Sequence, residues 1–284
     1  MSHTRSVLLL GFGYVAKVTA RLLLAEGFSV VGTARSLAKA ENMRHCGVGP
    51  VIAPAAADLR KLMASATHIL VSIPPGEAGD PVLAALGGDV DLSHLEWLGY
   101  LSTTGVYGDA KGGWVDEDTP ADPTELRSKR RLEAERSWQA LSAKTCIFRL
   151  SGIYGPGRSA LDRVQAGTAR RIVKPGQAFS RIHVDDIAAA LMASLARPDI
   201  EGPFNLADDA PTPQADVVAY AAKLLGVTPP PLEESETAEM SAMMRSFFSA
   251  SRRVSSEHTR AALGWELKYP TYREGLKAIY DASI

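Results

Sequence analysis

The chain has 284 residues, 46% of them hydrophobic and 22% charged, which suits a globular protein with a sizeable core in one large domain or two small ones. Its 31 Lys and Arg offset 32 Asp and Glu for a formal net charge of −1, and that balance argues against a nucleic-acid or anionic-membrane surface. Cys46, Cys146 and six scattered His offer neither a disulfide framework nor a metal cluster, and a reducing cytoplasm fits this usage.

No apolar run reaches the roughly 18 residues of a membrane-spanning helix. The run 7–10 after Arg5 resembles the start of a signal peptide, but Gly11, Gly13 and Lys17 interrupt it early. A buried first strand is the expectation there.

Strand-length apolar runs then alternate with helix-period segments. Residues 7–10 read as a strand. Residues 14–26 read as a helix with Val15, Val18, Leu22 and Leu23 on one stripe and Gly27 as the stop. Residues 28–33 are the next strand, and Ser36 caps a short helix ending near Gly47. Residues 48–52 form a strand, 58–64 a helix capped by Asp58, and 68–72 a strand ending at Pro74-Pro75-Gly76. Residues 97–102 and 145–150 are further strands. The helix expected between them, over 124–141, has Asp122 as cap, Pro123 at the first helical position and Glu125 as capping-box carboxylate. This order predicts an α/β fold, a doubly wound parallel sheet covered by helices on both faces.

After Leu150 the pattern loosens, with Gly and Pro clustered at Gly152, Gly155-Pro156-Gly157, Pro175-Gly176 and Pro229-Pro230-Pro231. Helices are expected from Asp185, from Thr212-Pro213, near Glu233 and from Thr271. Residues 151–284 thus read as a smaller, mixed, irregular lobe set against 1–150, with strands able to return to the main sheet. Met240, Met243, Met244, Phe247 and Phe248 suit core or a lid over a pocket.

Gly11-Phe12-Gly13-Tyr14-Val15-Ala16 lies between the first strand and first helix in the G-x-G-x-x-G/A arrangement. Gly11 permits the tight turn, Gly13 lets the backbone approach a pyrophosphate, and small Ala16 lets helix pack on strand. The N–H groups that open the helix, at Tyr14, Val15 and Ala16, then face the phosphates. A mere tight turn is the alternative. The loop makes 1–150 a Rossmann-type dinucleotide-binding domain.

The second strand ends in Gly32-Thr33-Ala34-Arg35-Ser36, without the acid that would take the ribose hydroxyls of NAD. Arg35, with Ser36 beside it, suits the additional phosphate of NADP, NAD being the less favoured cofactor. The alternative is that Arg35 only meets solvent. Ser72 and Pro74, after the fourth strand, should border the ligand, because open α/β sheets bind there.

The glycine loop is followed in order by Ser102-Thr103-Thr104-Gly105-Val106-Tyr107-Gly108, by Arg149 with Tyr154-Gly155-Pro156-Gly157, and by Ile182-His183-Val184-Asp185-Asp186. Phe204-Asn205-Leu206-Ala207-Asp208-Asp209 and Leu263-Gly264-Trp265 come after them. Together they resemble the extended short-chain dehydrogenase/reductases, NAD(P)-dependent epimerases, dehydratases and reductases, in an atypical branch. The resemblance spans nearly the whole chain. It implies a Ser/Thr that binds the reacting oxygen, here Thr103, and a Tyr-x-x-x-Lys pair that moves the proton. It also implies a homodimer through the long helix.

The pair is missing. Arg127 falls in the tyrosine slot and Arg131 in the lysine slot, and no tyrosine lies between Tyr107 and Tyr154. A shifted register could use Lys129 as the lysine, but Glu125 then stands in the tyrosine position. A guanidinium stays protonated and cannot be a general base. Arg127 and Arg131 lie four apart on one helical face, as an anion clamp or as a solvated basic surface. Gly152 stands where many nucleotide-sugar enzymes carry Asn. Tyr107, Tyr154 and His183 are candidate substitutes on the substrate side, along with Arg181, although each aromatic also suits a structural role. Asp185 and Asp186 fit helix caps better than chemistry.

Two functions are in view. One is an NADP-dependent oxidoreductase or epimerase/dehydratase-like enzyme for a small polar or nucleotide-sugar-like substrate. The other is an NADP-binding sensor module without turnover. Neither involves a metal, a nucleic acid or a membrane.

Overall fold

The structure, a computed structural model, describes residues 5–88, 90–142 and 144–283, without the side chains of 242 and 243. The first half alternates β1 (Ser6–Leu10), α1 (Tyr14–Ala25), β2 (Ser29–Ala34), α2 (Leu37–His45), β3 (Gly49–Ile52), α3 (Ala56–Ser65), β4 (His68–Val71), α4 (Pro81–Leu86) and β5 (Trp97–Thr103). A 3-10 turn at Thr104–Tyr107 and short β6 (Trp114–Val115) lead to α5 (Leu126–Leu141) and β7 (Thr145–Leu150). Then come β8 (Gly152–Tyr154), α6 (Ala160–Gln165), β9 (Arg171–Val173), β10 (Arg181–His183), α7 (Val184–Leu195) and β11 (Phe204–Leu206). The chain finishes with α8 (Gln214–Leu224), β12 (Leu232–Glu234), α9 (Ala242–Ser249), β13 (Arg253–Val254), α10 (Glu257–Leu263) and α11 (Tyr272–Asp281).

Seven strands pair in parallel in the order β3-β2-β1-β4-β5-β7-β11. The expected doubly wound sheet is present. Side chains alternate across each strand, so Val7 and Leu9 join a core with α1 and α7, while Leu8 and Leu10 join the opposite core with α3, α4 and α5. Burial on both faces is why β1 reads as an unbroken apolar run. Because the strands are parallel, Leu10, Ala34, Val71, Thr103 and Leu150 all end at one edge of the sheet. The order reverses between β1 and β4, the switch point where such sheets leave a crevice.

The second half does not stand apart. β11 returns to the sheet edge beside β7, and α7 buries Val184, Ile187 and Leu191 in the core it shares with α1. The remaining strands form parallel pairs, β8 with β10, β9 with β12 and β6 with β13. Tyr154, Leu161, Val217, Tyr272 and Leu276 make a separate apolar cluster around α6, α8 and α11.

Four expected helix starts are corrected. α5 begins at Leu126, after Glu125, with no side-chain cap. Asp122 and Pro123 lie before it, because the first turn closes on the Glu125 carbonyl, which accepts from the Ser128 and Lys129 N–H groups at 2.9 and 3.0 Å. α3 begins at Ala56, and Asp58 sits inside its first turn, where a carboxylate meets the positive end of the helix dipole. α7 begins at Val184 and is capped by the His183 ring, which accepts from the Asp185 N–H at 3.2 Å. Asp185 and Asp186 are therefore not its caps, and Asp186 accepts instead from the backbone N–H groups of Lys268 and Tyr269.

The helix expected near Glu233 is the strand β12, aligned on β9 and tied by a two-pronged Arg170–Glu233 pair. The helix of that segment, α9, starts after Ser241, whose hydroxyl accepts from the Met244 N–H. In the expected Met/Phe stripe Phe248 is buried and Phe247 half exposed, while the Met243 side chain lies outside the described residues.

Candidate active site

The β1–α1 loop has the form a diphosphate needs. Gly11 holds φ at +92°, and a Cβ there would meet Ile73 Cγ1 and Ser72 Oγ at 2.8 Å, so only glycine makes this turn. Nothing lies within 4 Å of a Cβ on Gly13. α1 has no side-chain cap and no acid in its first turn, which leaves its opening N–H groups at Tyr14, Val15 and Ala16 for a ligand anion. Ala16 and Val15 are buried against the sheet. The loop fits a dinucleotide on these grounds.

The surrounding residues divide between loop and ligand. The Thr33 hydroxyl accepts from the Gly11 N–H at 2.9 Å. Ser72 donates to the Leu10 and Gly11 carbonyls at 3.2 and 3.1 Å, so it braces the loop from beneath. Ser36 caps α2, its hydroxyl accepting from the Lys39 N–H at 3.4 Å. Arg35 is exposed just past the end of β2. Tyr14 reaches across to donate to the Pro156 carbonyl at 3.0 Å, and burial pushes its hydroxyl up to about 12.

Beyond Pro74 and Pro75 the crevice widens into a cleft of about 610 Å³ between the ends of β5 and β7 and the second half of the chain. Thr103 lines it. Its hydroxyl accepts from the Gly105 N–H at 3.1 Å, which leaves the hydroxyl hydrogen available to a substrate oxygen. Arg131 lines the same wall and donates to the Leu101 carbonyl at 2.8 Å and to the Tyr100 hydroxyl at 3.3 Å. Arg127 lies at the mouth with its guanidinium 4.7 Å from the Phe247 ring centroid. Both arginines therefore face the cleft, and α5 carries no tyrosine.

Of the substrate-side candidates, the cleft takes in Tyr154 and Arg181 but not Tyr107 or His183. Tyr107 is buried, donates to Asn205 Oδ1 at 2.8 Å and accepts from Arg149 at 3.0 Å. Arg149 is in turn held by Glu135, which also takes the Ser102 hydroxyl. His183 is buried edge-on to Tyr154, and burial pulls its imidazole down to about 4. A ring so placed stays neutral and caps α7. Burial pushes the Tyr154 hydroxyl strongly upward, and it donates to the Thr271 carbonyl at 3.4 Å. None of these three is a ready general acid.

Ser128, Arg158, Arg163 and Arg252 also line the cleft and were not expected. Ser128 lies three residues before Arg131 on the same helical face, a spacing that could have revealed it. Arg163 and Arg252 belong to elements with no motif. Among the described residues, no group of three or more His, Cys, Asp or Glu is placed to hold a metal, and no helix is long and apolar enough to cross a membrane.

No protein-family model matches the chain. It is 30% identical over 248 residues to Protein YeeZ of Escherichia coli strain K12, covering 81% of this chain and 88% of that one. It is also 30% identical over 179 residues, 57% of this chain and 58% of the other, to a 3-diazoavenalumate denitrifying reductase from a Streptomyces species. A solved structure from Silicibacter pomeroyi, of a functionally unknown conserved protein, superposes with a TM-score of 0.91 at 45% identity over 99% of both chains.

Two solved structures at 18% identity share the fold. One is the dTDP-glucose 4,6-dehydratase of Bacillus anthracis in complex with NAD, with a TM-score of 0.76 over 98% of this chain and 96% of that one. The other is a human epimerase family protein with NADPH, with a TM-score of 0.75 over 97% and 99%. With the glycine loop, the sheet order and the cleft all in place, the chain belongs to the family of Protein YeeZ, on the fold of the NAD(P)-dependent epimerases and dehydratases among the extended short-chain dehydrogenase/reductases.

Proposed function

We propose that the chain is an NADP-dependent oxidoreductase or epimerase/dehydratase-like enzyme that acts on a small polar substrate in the cleft beside Thr103. The observation that carries the reading is the uncapped glycine loop opening toward a cleft that holds an oriented hydroxyl. Gly11, Gly13 and the start of α1 would hold the pyrophosphate, and Arg35 the adenosine phosphate. When bound, the nicotinamide supplies or accepts a hydride. Thr103 donates to the reacting oxygen. Arg131, held in place by the Leu101 carbonyl, stabilises negative charge there. The chemistry this favours is oxyanion stabilisation rather than base catalysis by a side chain of α5.

Titration with NADPH and NADH tests the nucleotide site, and tighter NADH binding would remove the role given to Arg35. NADPH oxidation with carbonyl compounds and nucleotide sugars tests the enzyme. Turnover unchanged in Thr103→Ala excludes that hydroxyl from the mechanism.

A second reading, an NADP-binding module without turnover, is favoured by one observation: α5 lacks a tyrosine, and Tyr107 and His183 are buried away from the cleft. Tight NADPH binding with no turnover on any substrate would select it.

A further inference from the structure

We propose that the cleft selects an oxyanionic substrate, whose carboxylate or phosphate group is gripped by Arg163 and Arg181 while its reacting oxygen lies at Thr103. This deepens the reading above and rests on the cleft being the substrate site.

The cleft is lined by Arg127, Arg131, Arg158, Arg163, Arg181 and Arg252, with Glu125 the sole carboxylate on its wall among the described residues. In a chain of net charge −1, that concentration of positive charge is local. Four of the six have work within the protein. Arg127 stacks on Phe247 and Arg158 faces the Tyr14 ring. Arg131 donates to the Leu101 carbonyl and Arg252 to the Gly108 carbonyl.

Arg163 and Arg181 are different. Among the described residues the Arg163 guanidinium makes no hydrogen bond and no ion pair, although it faces the cleft. Arg181 uses only Nη1, donating to the Phe179 and Thr212 carbonyls at 2.7 and 2.9 Å. Those two acceptors fix its position, while its Nε and Nη2 groups have no protein partner among the described residues.

Two acids attract the pair, Asp162 acting on Arg163 and Asp208 on Arg181, but neither makes a hydrogen bond or ion pair with either guanidinium among the described residues. Asp162 is committed to the capping box that starts α6, where it takes the Ser159 N–H at 2.7 Å and the Ser159 hydroxyl at 2.5 Å. Asp208 attracts Arg181 but is itself buried, and burial pushes its carboxyl up to about 7. Burial and the charge of Arg163 both act to lower Arg181. Two like charges facing one cavity repel unless an anion lies between them. A planar guanidinium fork matches the paired oxygens of a carboxylate or phosphate. Arg163 is exposed and can be met by water, but a neutral substrate would leave the Nε and Nη2 groups of the less exposed Arg181 without a partner, so the arrangement also discriminates against it.

The test uses the full chain saturated with NADPH, so that sites for nucleotide phosphate are filled. It is titrated with inorganic phosphate, acetate or chloride at matched ionic strength, and followed by calorimetry and thermal unfolding. Phosphate or acetate should bind and raise the unfolding midpoint where chloride does not, and the stronger arm identifies which oxyanion fits. Arg163→Gln is chosen over Arg181 because the Arg163 guanidinium holds no protein group. It should keep the unfolding midpoint and the NADPH affinity while weakening the anion about tenfold, the loss of a hydrogen bond to a charged group. Arg163→Lys should restore part of that loss. Anion affinity unchanged in Arg163→Gln, or chloride acting as strongly as phosphate and acetate, overturns the proposal. If NADPH does not bind, the nucleotide reading falls, and the same titrations on the unliganded chain still decide the anion site.

Discussion

Glu135→Gln should destabilise the chain by about 3–5 kcal/mol, the cost of removing one partner from a buried ion pair. Glu135 is 2% exposed and Arg149 8%, so neither charge is solvated. Arg149 reaches the carboxylate with two nitrogens, at 2.9 Å for Nη2 to Oε2 and 3.3 Å for Nε to Oε1. The substitution keeps the volume and a hydrogen-bond acceptor for Ser102 or Arg149. It leaves the guanidinium buried with no counter-charge, with the Tyr107 hydroxyl at 3.0 Å and at most one amide oxygen as polar partners. Against a typical stability of about 5–15 kcal/mol, that is a large fraction. At about 2–4 °C per kcal/mol for a chain approaching this size, the unfolding midpoint should fall by roughly 6–20 °C. Urea denaturation, fitted with a common slope, measures the loss directly. Replacing both partners, Glu135→Leu with Arg149→Met, removes the two charges together and should cost less than the sum of the single changes. A loss below about 1 kcal/mol for Glu135→Gln, the scale of an exposed pair, or strict additivity in the double variant, would refute the reasoning.

Gly11→Ala should lower stability by about 2–5 kcal/mol, from the left-handed backbone at φ +92° and the 2.8 Å approach to Ile73 and Ser72, and it should abolish NADPH binding; a fluorescence titration matching that of the unsubstituted chain would contradict this. Asp208 has its carboxyl pushed by burial from 3.8 up to about 7, so the folded state holds that proton more tightly than the unfolded state. The stability this contributes is full below pH ~4 and is lost as pH rises through ~7. Asp208→Asn should therefore gain on the unsubstituted chain above pH 7, with the difference shrinking toward pH 4; urea midpoints that differ equally at both ends would argue against it. The His183 imidazole runs the opposite way, being pulled down to about 4. Its buried neutral form costs stability as pH falls from 6.5 through 4, and a flat acid limb in the same urea series would count against that placement.

Where the sequence was legible, the governing interactions were local. β1 through β5 and β7 follow from apolar runs of strand length, and α1 and α2 from period or cap and from the stop residues Gly27 and Gly47, whereas α4 (Pro81–Leu86) was not read. Starts were harder, because a cap depends on which group is free to turn back. Asp122 had the chemistry of a cap, but the first turn of α5 closed on the Glu125 carbonyl, and the His183 ring took the Asp185 N–H at the start of α7. β12 looked helical because a three-residue strand shows no usable period, and only its pairing with β9 made it a strand. In the site, Thr103, Arg127 and Arg131 were legible from motif order and helical spacing. Arg163 and Arg252 gave no signal, since an arginine on a short irregular element reads as surface.

The sequence by itself determined the β-α order, the two-faced burial of the central strands and the glycine loop between β1 and α1. Each of these is set by neighbours within a few residues, through periodicity, steric exclusion and turn geometry. Only the tertiary structure decided that β11 closes the sheet edge, that Tyr107 and His183 turn inward, and that arginines from β10, α6 and α5 face one cavity. Which charges share a cavity depends on chain crossings tens of residues apart, and whether a side chain meets water or protein is settled only when those segments pack.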